Sequence, residues 1–300
     1  MPRLSVVMPV YNGERYLAAA VDSILSQSEP DFEFIILDDG SADASGEIIA
    51  RYAGRDSRIR HIIGGANKGI TARLNEGLSL ARAPLIARMD HDDISLPQRF
   101  ERQFALLEAQ PQVVLVGSRV VIIDPDGDEL IEMGDALTHE DINRGLMSGA
   151  GQLVYHPSVM FRREAALAIG GYDESFPSVQ DLDFFLKLGE RGRIENLAEP
   201  LLKYREHFGK MGATHRVAQE REIDRAIAAA HARRGTKADA TAARARRKPE
   251  SPVATFRKWG WWALKGGRVG AARKHALRAF ARAPIDRESA RLLWCALRGY

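Results

Sequence analysis

The sequence predicts an α/β fold with a mostly parallel central sheet and helices on both of its faces. Two apolar runs, Leu4 to Pro9 and Phe32 to Asp39, have the uniform hydrophobicity of strands buried on both sides. Apolar residues recur at helical spacing between them, from Leu17 to Leu25, which completes a βαβ unit. The alternation continues with a helix that Ser41 can cap, a strand at Ile59 to Ile63, a helix at Thr71 to Leu80 and a strand at Pro84 to Met89.

The second part of the chain is less regular but still alternates strands and helices. A helix in PQRFERQFALLEAQ leads to VVLVGSRVVIID, a candidate strand pair closed by the turn PDGD. The segment HPSVMFRREAALAIGGYDE predicts a strand, a helix and a glycine-closed turn, and QDLDFFLKLGERG predicts another helix. These patterns predict a domain over residues 1–215, followed by a basic helical C-terminal extension over residues 216–300 that ends in a helical hairpin.

Charge is distributed unevenly between the two parts. Residues 233–300 carry 18 Lys and Arg against 4 Asp and Glu, whereas the rest of the chain carries 25 against 36. This asymmetry indicates a tail that contacts an anionic surface, either nucleic acid or lipid headgroups, or else an ordinary solvated helical surface rich in Arg. The final helices must bury their apolar face on the body, on a second subunit or on a membrane.

Composition excludes several other classes of protein. A chain of 300 residues with 45% hydrophobic residues is long enough for a substantial core. The single cysteine, Cys295, excludes an intramolecular disulfide framework, and no Cys/His cluster has zinc spacing. The N-terminal residues lack a signal-peptide pattern, and no apolar run reaches the roughly 20 residues of a membrane span. We therefore expect a cytoplasmic protein that does not span a membrane.

Polar side chains follow three of the predicted strands at the point where each strand ends. Tyr11 and Asn12 follow the first strand, Asp38 to Ser41 follow the second, and Asp90 to Asp93 follow a later one. Parallel α/β sheets bind ligands beyond the carboxyl ends of their strands. We therefore expect these three loops to converge at one edge of the sheet.

The segment ARMDHDDIS is the densest of these clusters, and nothing obvious beside it neutralises its three carboxylates. The hard cations Mg²⁺ and Mn²⁺ prefer oxygen ligands and usually bridge to phosphate oxygens. In an extended segment Asp90 and Asp92 would project to one side and His91 to the other. Asp93 is predicted to cap the following helix or to interact with its dipole. A solvated surface turn is the alternative.

Four ordered segments, SVVMPVYNGERYLAAAVDSILSQ, FEFIILDDGSAD, NKGITARLNEGL and ARMDHDDIS, resemble the nucleotide-sugar-binding half of family 2 inverting glycosyltransferases of the GT-A fold. The downstream pieces HPSVMFRRE, GGYDE and QDLDFFLKL resemble the same family, so the resemblance spans about residues 3–210. It implies a GT-A-type nucleotide-binding α/β sandwich, with a nucleotide-sugar-binding half over residues 1–95 and an acceptor half over residues 96–215.

The resemblance also implies a nucleotide-binding role for four residues. Pro9 and Tyr11 match positions that line the nucleotide base, and the ring of Tyr11 is available for stacking. Asp39 matches a carboxylate that accepts a hydrogen bond from the base N–H. Arg73 lies near the position of a basic group that faces the nucleotide.

The remaining site residues follow from the same resemblance. Asp90 and Asp92 match the Asp-X-Asp pair that holds Mg²⁺ or Mn²⁺ on the donor diphosphate. Asp181 matches the catalytic base, although Gln180 precedes it where many relatives have Glu. His207 matches a region where relatives often carry a histidine, and it would complete the metal or diphosphate site. Helix capping by Asp181 and a purely structural loop at His207 are the alternatives.

The sequence therefore predicts an inverting, metal-dependent, non-processive glycosyltransferase that uses a nucleoside diphosphate sugar, with a preference for UDP. Its expected acceptor is a glycan or lipid-linked molecule in polysaccharide or cell-surface glycan biosynthesis. Peripheral contact with the inner face of the membrane through the basic extension is expected, and a nucleic-acid partner is not. The alternatives are a nucleotidyltransferase that makes the nucleotide-sugar, and a non-catalytic carbohydrate- or nucleic-acid-binding protein that acts through its tail.

Overall fold

A computed structural model describes residues 1–149, 153–209, 216–237 and 251–300. The strands are β1 (Leu4–Val10), β2 (Phe32–Asp38), β3 (Ile59–Ile63), β4 (Leu85–Arg88), β5 (Ile94–Ser95), β6 (Val113–Ile123), β7 (Glu129–Met133), β8 (Met160–Arg162) and β9 (Arg193–Arg205). The helices are α1 (Leu17–Leu25), α2 (Ser45–Ala53), α3 (Ile70–Leu80), α4 (Arg99–Ala109), α5 (His139–Ser148), α6 (Arg163–Ala168), α7 (Gln180–Leu188), α8 (Arg216–Arg234), α9 (Pro252–Lys265), α10 (Val269–Arg282) and α11 (Arg287–Arg298). A short 3-10 helix lies at His156–Ser158.

The nine strands form one sheet in the order β3-β2-β1-β4-β8-β6-β9-β5, with β7 paired to β6. Strands β1 to β4 pair in parallel, as the alternation of elements predicts. Every residue of β1 and β2 is buried, because helices cover both faces of the sheet. Val10 lies opposite Asp38 in the register, so the loops that follow these two strands leave the sheet side by side.

The second half of the sheet is mixed. Strand β8 is antiparallel to β4 and β6, and the predicted strand pair is confirmed as the antiparallel hairpin of β6 and β7. The long strand β9 pairs in parallel with β6, although its sequence gave no strand prediction. Charged residues and Pro200 interrupt its apolar pattern, and the register shifts near this proline.

Two hydrophobic clusters pack on the two faces of the sheet, and the C-terminal helices contribute to both. Helices α1, α2 and α4 and the helices α9 to α11 pack on one face. Helices α3 and α5 to α8 pack on the other. The predicted hairpin is instead a group of three helices, and Trp259 is buried where this group meets the body. Among the described residues, no helix combines the length and the hydropathy that a membrane span requires.

Candidate active site

The loops after β1 and β2 are joined by hydrogen bonds at the edge of the sheet. The backbone N–H of Asn12 donates to Ser41 Oγ at 3.0 Å, and Asn12 Oδ1 accepts from the N–H of Ala42 at 2.9 Å. Asn12 has a positive φ of 49°, a conformation that asparagine tolerates better than most residues. The expected convergence of these loops is therefore present in the fold.

Asp39 and Arg73, two of the predicted nucleotide-binding residues, form a buried ion pair. Arg73 Nε donates to Asp39 Oδ1 at 2.7 Å, and the two side chains are 2% and 5% exposed. The Asp39 carboxylate also accepts from the backbone N–H groups of Lys68 and Gly69 at 2.8 and 2.9 Å. Pro9 is buried within β1, whereas Tyr11 is nearly half exposed just beyond it. The pair therefore fixes the loop before α3.

Asp90, Asp92 and Asp93 lie in a turn that we call the acidic turn (Asp90–Asp93), and one carboxylate oxygen from each lies within 4.8 Å of the others. The expectation of an extended segment is wrong, because these residues leave the strand in a turn. His91 does not point away from the site. Its ring packs on Gly13, where a Cβ atom would lie 2.5 Å from His91 Cδ2, and it lines the adjacent cleft.

Two buried arginines neutralise the acidic turn. Arg88, at the end of β4, places Nη1 2.5 Å from Asp90 Oδ2. Arg205, at the end of β9, donates from its backbone N–H to Asp93 Oδ1 at 2.7 Å and from Nε to the Asp92 carbonyl at 2.8 Å. The prediction that Asp93 caps the following helix is wrong, since Gln98 occupies the N-cap position of α4. A long-range backbone donor binds the Asp93 carboxylate instead.

His207 contacts the acidic turn across 115 residues of sequence. Its Nε2 lies 2.9 Å from Asp92 Oδ2, and its ring packs on Tyr16 with centroids 5.7 Å apart. Asp92 and His207 line a cleft. Its other walls are Asn12, Gly13, Arg15, Tyr16, His91, Pro125, Phe208 and Gly209. The three carboxylates could thus hold one cation, and the imidazole of His207 borders them at Asp92.

Asp181 lies in the first turn of α7, and its carboxylate is within electrostatic reach of Arg88 and Asp90. Burial raises its pKa above the ordinary aspartate value, the N–H of Leu182 (2.8 Å) and Arg88 lower it, and Asp90 raises it further. The strict capping alternative is wrong, because Val179 is the N-cap residue of α7. The result is a partly buried carboxylate with strengthened basicity.

Sequence reasoning missed Arg88 and Tyr172, which lie within electrostatic reach of this carboxylate. His156 Nε2 lies 2.9 Å from the Tyr172 hydroxyl. Burial and Arg88 lower the pKa of His156 well below its ordinary value, so the ring is neutral. Asp183 is buried and pairs with Lys187 at 2.7 Å, which makes it structural. The one sequence signal for Arg88 is its position as a charged residue inside an apolar strand.

The α/β fold carries an acidic turn that borders a cleft, and a carboxylate of raised pKa lies within electrostatic reach of that turn. This arrangement suits group transfer from a phosphorylated donor. The family model "Glycosyl transferase family 2" matches residues 5–169, more than half of the chain. This chain belongs to glycosyltransferase family 2, which confirms the predicted family and enzyme class. The family membership supports neither the nucleotidyltransferase nor the non-catalytic alternative.

Relatives of known sequence and structure agree with this assignment. The putative glycosyltransferase EpsE of Bacillus subtilis is 37% identical over 209 residues, which are 68% of this chain and 73% of EpsE. The O-antigen biosynthesis glycosyltransferase WbnJ of Escherichia coli is 32% identical over 208 residues, 68% of this chain and 80% of WbnJ.

Solved structures share the fold at lower sequence identity. Staphylococcus aureus TarS 1-349, solved with UDP-GlcNAc, matches with a TM-score of 0.59 at 16% identity over 98% of this chain and 79% of that one. The mannosyltransferase PcManGT of Pyrobaculum calidifontis, solved with GDP-Man and Mn²⁺, gives 0.58 at 20% identity over 100% and 81%. These similarities confirm the predicted GT-A-type fold.

The raised pKa of Asp181 predicts a pH-dependent stability difference. Between the ordinary pKa of aspartate and the raised pKa of Asp181, the folded protein retains a proton that the unfolded chain has lost, so stability falls as pH rises. Above the raised pKa the carboxylate is ionised in both the folded and the unfolded state, and the loss of stability reaches its full size. We therefore expect Asp181→Asn to increase the free energy of unfolding at neutral pH and to have less effect in acid. Urea unfolding at several pH values measures this.

The control for this prediction is Asp135→Asn, which changes a carboxylate that is 88% exposed. Its difference from the wild type should vary little with pH. A stability difference for Asp181→Asn that is constant with pH, or one that grows toward acid pH, would contradict the raised pKa.

Proposed function

We propose that this enzyme is an inverting, metal-dependent, non-processive glycosyltransferase that uses a nucleoside diphosphate sugar. The observation that carries the proposal is the meeting of Asp181, the acidic turn and His207 from three distant parts of the sequence. Each part of the reaction then has a residue suited to it.

Asp181 is the proposed catalytic base. The acceptor hydroxyl transfers its proton to the carboxylate while its oxygen forms a bond to the anomeric carbon. The bond from that carbon to the diphosphate oxygen breaks, and its electron pair leaves with the diphosphate. A single base and one direct displacement invert the configuration of the sugar. The raised pKa of Asp181 supports this role, because it makes the carboxylate a better proton acceptor.

Asp90, Asp92 and His207 are the proposed ligands of Mg²⁺ or Mn²⁺. Carboxylate oxygens within 4.8 Å of one another and an imidazole 2.9 Å from Asp92 form a donor set that fits such a cation. When bound, the cation would stabilise negative charge on the leaving diphosphate. The Mn²⁺ in the structurally similar PcManGT supports a divalent ion without distinguishing Mg²⁺ from Mn²⁺.

Tyr11, Asp39, Arg73 and Pro9 are the proposed nucleotide-binding residues. The exposed ring of Tyr11 can stack on a base, and the Asp39 carboxylate, held in place by Arg73, can accept from a base N–H. UDP is the proposed nucleotide, and the UDP-GlcNAc bound to TarS supports a sugar donor of this class. PcManGT was solved with GDP-Man, so a GDP-sugar is the alternative donor that a nucleotide panel must compare.

A glycan or a lipid-linked molecule is the proposed acceptor. WbnJ is named for O-antigen biosynthesis, which supports a role for this chain in polysaccharide or cell-surface glycan assembly. We propose single additions rather than processive synthesis, because the sequence lacks the Gln-x-x-Arg-Trp segment of processive polymer synthases.

One outward surface of α10 and α11 combines exposed apolar side chains with arginines, and we call it the basic apolar face (Arg273, Leu277, Trp294, Leu297 and Arg298). Its three apolar members are each half exposed or more. Arg273 lies one helical turn before Leu277 and donates to the Leu297 carbonyl at 3.0 Å, which joins the two helices. The Arg298 guanidinium lies 3.9 Å from the centre of the Trp294 ring.

We propose that this face binds an anionic lipid bilayer, so that the enzyme acts at the inner face of the membrane. Tryptophan favours the boundary between headgroups and acyl chains, and arginine is attracted to anionic headgroups. A lipid surface matches both properties, whereas nucleic acid would use the arginines but leave the apolar side chains exposed.

The nucleotide and the metal can be tested together by thermal denaturation. We expect a UDP-sugar, in a panel with GDP-, dTDP- and CMP-sugars, to give the largest rise in melting temperature, and only with Mn²⁺ or Mg²⁺ present. Asp92→Asn should remove the metal-dependent part of this rise because it deletes a charged ligand. If no nucleotide-sugar stabilises the wild type in the presence of metal, the proposed donor class is wrong.

The proposed base predicts a separation of binding from chemistry. We expect Asp181→Asn to keep the nucleotide affinity of the wild type but to lose about 10²- to 10⁴-fold in the rate of UDP release from the donor. Asp135→Asn, an exposed carboxylate, is the matched control and should retain both. An Asp181→Asn enzyme with a near wild-type rate would exclude Asp181 as the base.

Vesicle sedimentation tests the basic apolar face. We expect the protein to bind phosphatidylglycerol vesicles, to bind phosphatidylcholine vesicles weakly, and to dissociate as salt rises. Trp294→Ser should weaken binding by about tenfold, since it removes the interfacial ring. Ile63→Ser, which changes an exposed apolar residue at the end of β3, should have no effect. Equal binding by Trp294→Ser, or no binding by the wild type, would reject a lipid contact through this face.

A further inference from the structure

Helix α10 neutralises a buried carboxylate in the turn that borders the active-site cleft. We call the turn between β6 and β7 the PDGD turn. It consists of Asp124 and the PDGD segment that follows it, residues 124–128. Asp124 is fully buried, and its Oδ2 lies 2.8 Å from His275 Nε2 and in ion-pair contact with Lys274. Its Oδ1 accepts from the N–H groups of Asp126 and Asp128 at 2.9 and 3.0 Å. Every oxygen of this carboxylate therefore has a partner that fixes the turn.

Lys274 and His275 keep the buried Asp124 carboxylate ionised. Burial raises the pKa of Asp124, but hydrogen bonds from His275 and Lys274 outweigh this effect and hold the pKa well below its ordinary value. Lys274 also pairs with Asp126, at 3.0 Å, and with Asp128. One lysine of the C-terminal helices thus holds three carboxylates of the same turn, which would otherwise repel one another.

Arg205 connects the PDGD turn to the acidic turn. Its Nη1 donates to the carbonyl of Asp124 at 3.2 Å, and its Nε donates to the carbonyl of Asp92 at 2.8 Å. Its backbone N–H binds Asp93 Oδ1 at 2.7 Å. Arg205 is only 5% exposed, so water does not readily replace these bonds. A displacement of the PDGD turn is therefore transmitted to the carbonyl of Asp92.

A second contact supports the other side of the same site. Phe208 follows His207 directly, and its ring packs on Phe256 and Trp259 of α9 with centroid distances of 5.5 and 5.3 Å. His275 packs on these same two rings, at 6.0 and 5.2 Å. Asp92 and His207, which meet at 2.9 Å, are thus supported from two directions by one group of side chains on α9 and α10.

We propose that α9 and α10 are positioning elements of the donor site, with Lys274 and His275 holding the PDGD turn so that Arg205 keeps Asp92 facing His207. The identity of the ligand as a divalent cation rests on the proposed function, whereas the coupling between the helices and the acidic turn does not. The helices lie beyond the residues 5–169 that the family model matches. The C-terminal extension is then part of the active site in space, although it is separate in sequence.

The test compares Lys274→Met with Lys265→Met, which changes an exposed lysine at the end of α9. We expect Lys274→Met to weaken Mn²⁺ binding, measured by electron paramagnetic resonance, by about tenfold, and Lys274→Arg to restore most of it. Hydrogen exchange should accelerate at residues 90–95 and at the Arg205 amide but not in β1 to β3. Lys265→Met should match the wild type in both measurements.

Each outcome decides the proposal. Unchanged Mn²⁺ affinity and unchanged exchange at residues 90–95 in folded Lys274→Met would overturn the positioning role. If the wild type binds no Mn²⁺, the proposed metal is wrong, and the exchange data still decide the coupling. If Lys274→Met does not fold, Lys274→Gln replaces it, because glutamine removes the charge that holds Asp124 but keeps a polar side chain. Exchange at the Arg205 amide must then rise by at least about twofold, or the coupling is absent.

Discussion

Arg88 and Arg205 are buried against the acidic turn, and their charges allow three carboxylates to lie within 4.8 Å of one another. An uncompensated charge in such a place costs several kcal/mol, so a turn of this composition would otherwise protonate or open. Arg88 is the last residue of β4, just before the acidic turn, and Arg205 is the last residue of β9. A third arginine, Arg99 in α4, is also buried within electrostatic reach of Asp93.

Arg88 also limits the basicity of Asp181. Burial raises the pKa of this carboxylate, and Arg88 opposes the increase. A second positive charge nearby would lower the pKa of this carboxylate further. His156 lies in the same region but is kept neutral by burial and by Arg88, with its ring bonded to the Tyr172 hydroxyl. The neutral histidine therefore adds no positive charge to this region.

Local pattern was enough to predict the parallel half of the sheet, because apolar runs and helical periodicity are properties of neighbouring residues. It also placed the polar loops at one edge, since this follows from strand direction alone. It failed at Asp93, where the rule for helix capping competed with a backbone donor 112 residues away. Strand β9 was missed for a related reason: its pairing with β6 overrides a weak local sequence signal.

The net charge of the basic tail does not show which partner its cations contact. An excess of positive charge suggested an external anion, yet Lys274 binds three carboxylates of the body and Arg268 pairs with Glu129 at 2.7 Å. Net charge does not distinguish cations that face the body from cations that face solvent. Helix α10 carries both kinds, with Lys274 turned inward and Arg273 on the exposed side. In the part of the chain that the structure describes, the acidic body and the basic tail are therefore partly each other's counterions.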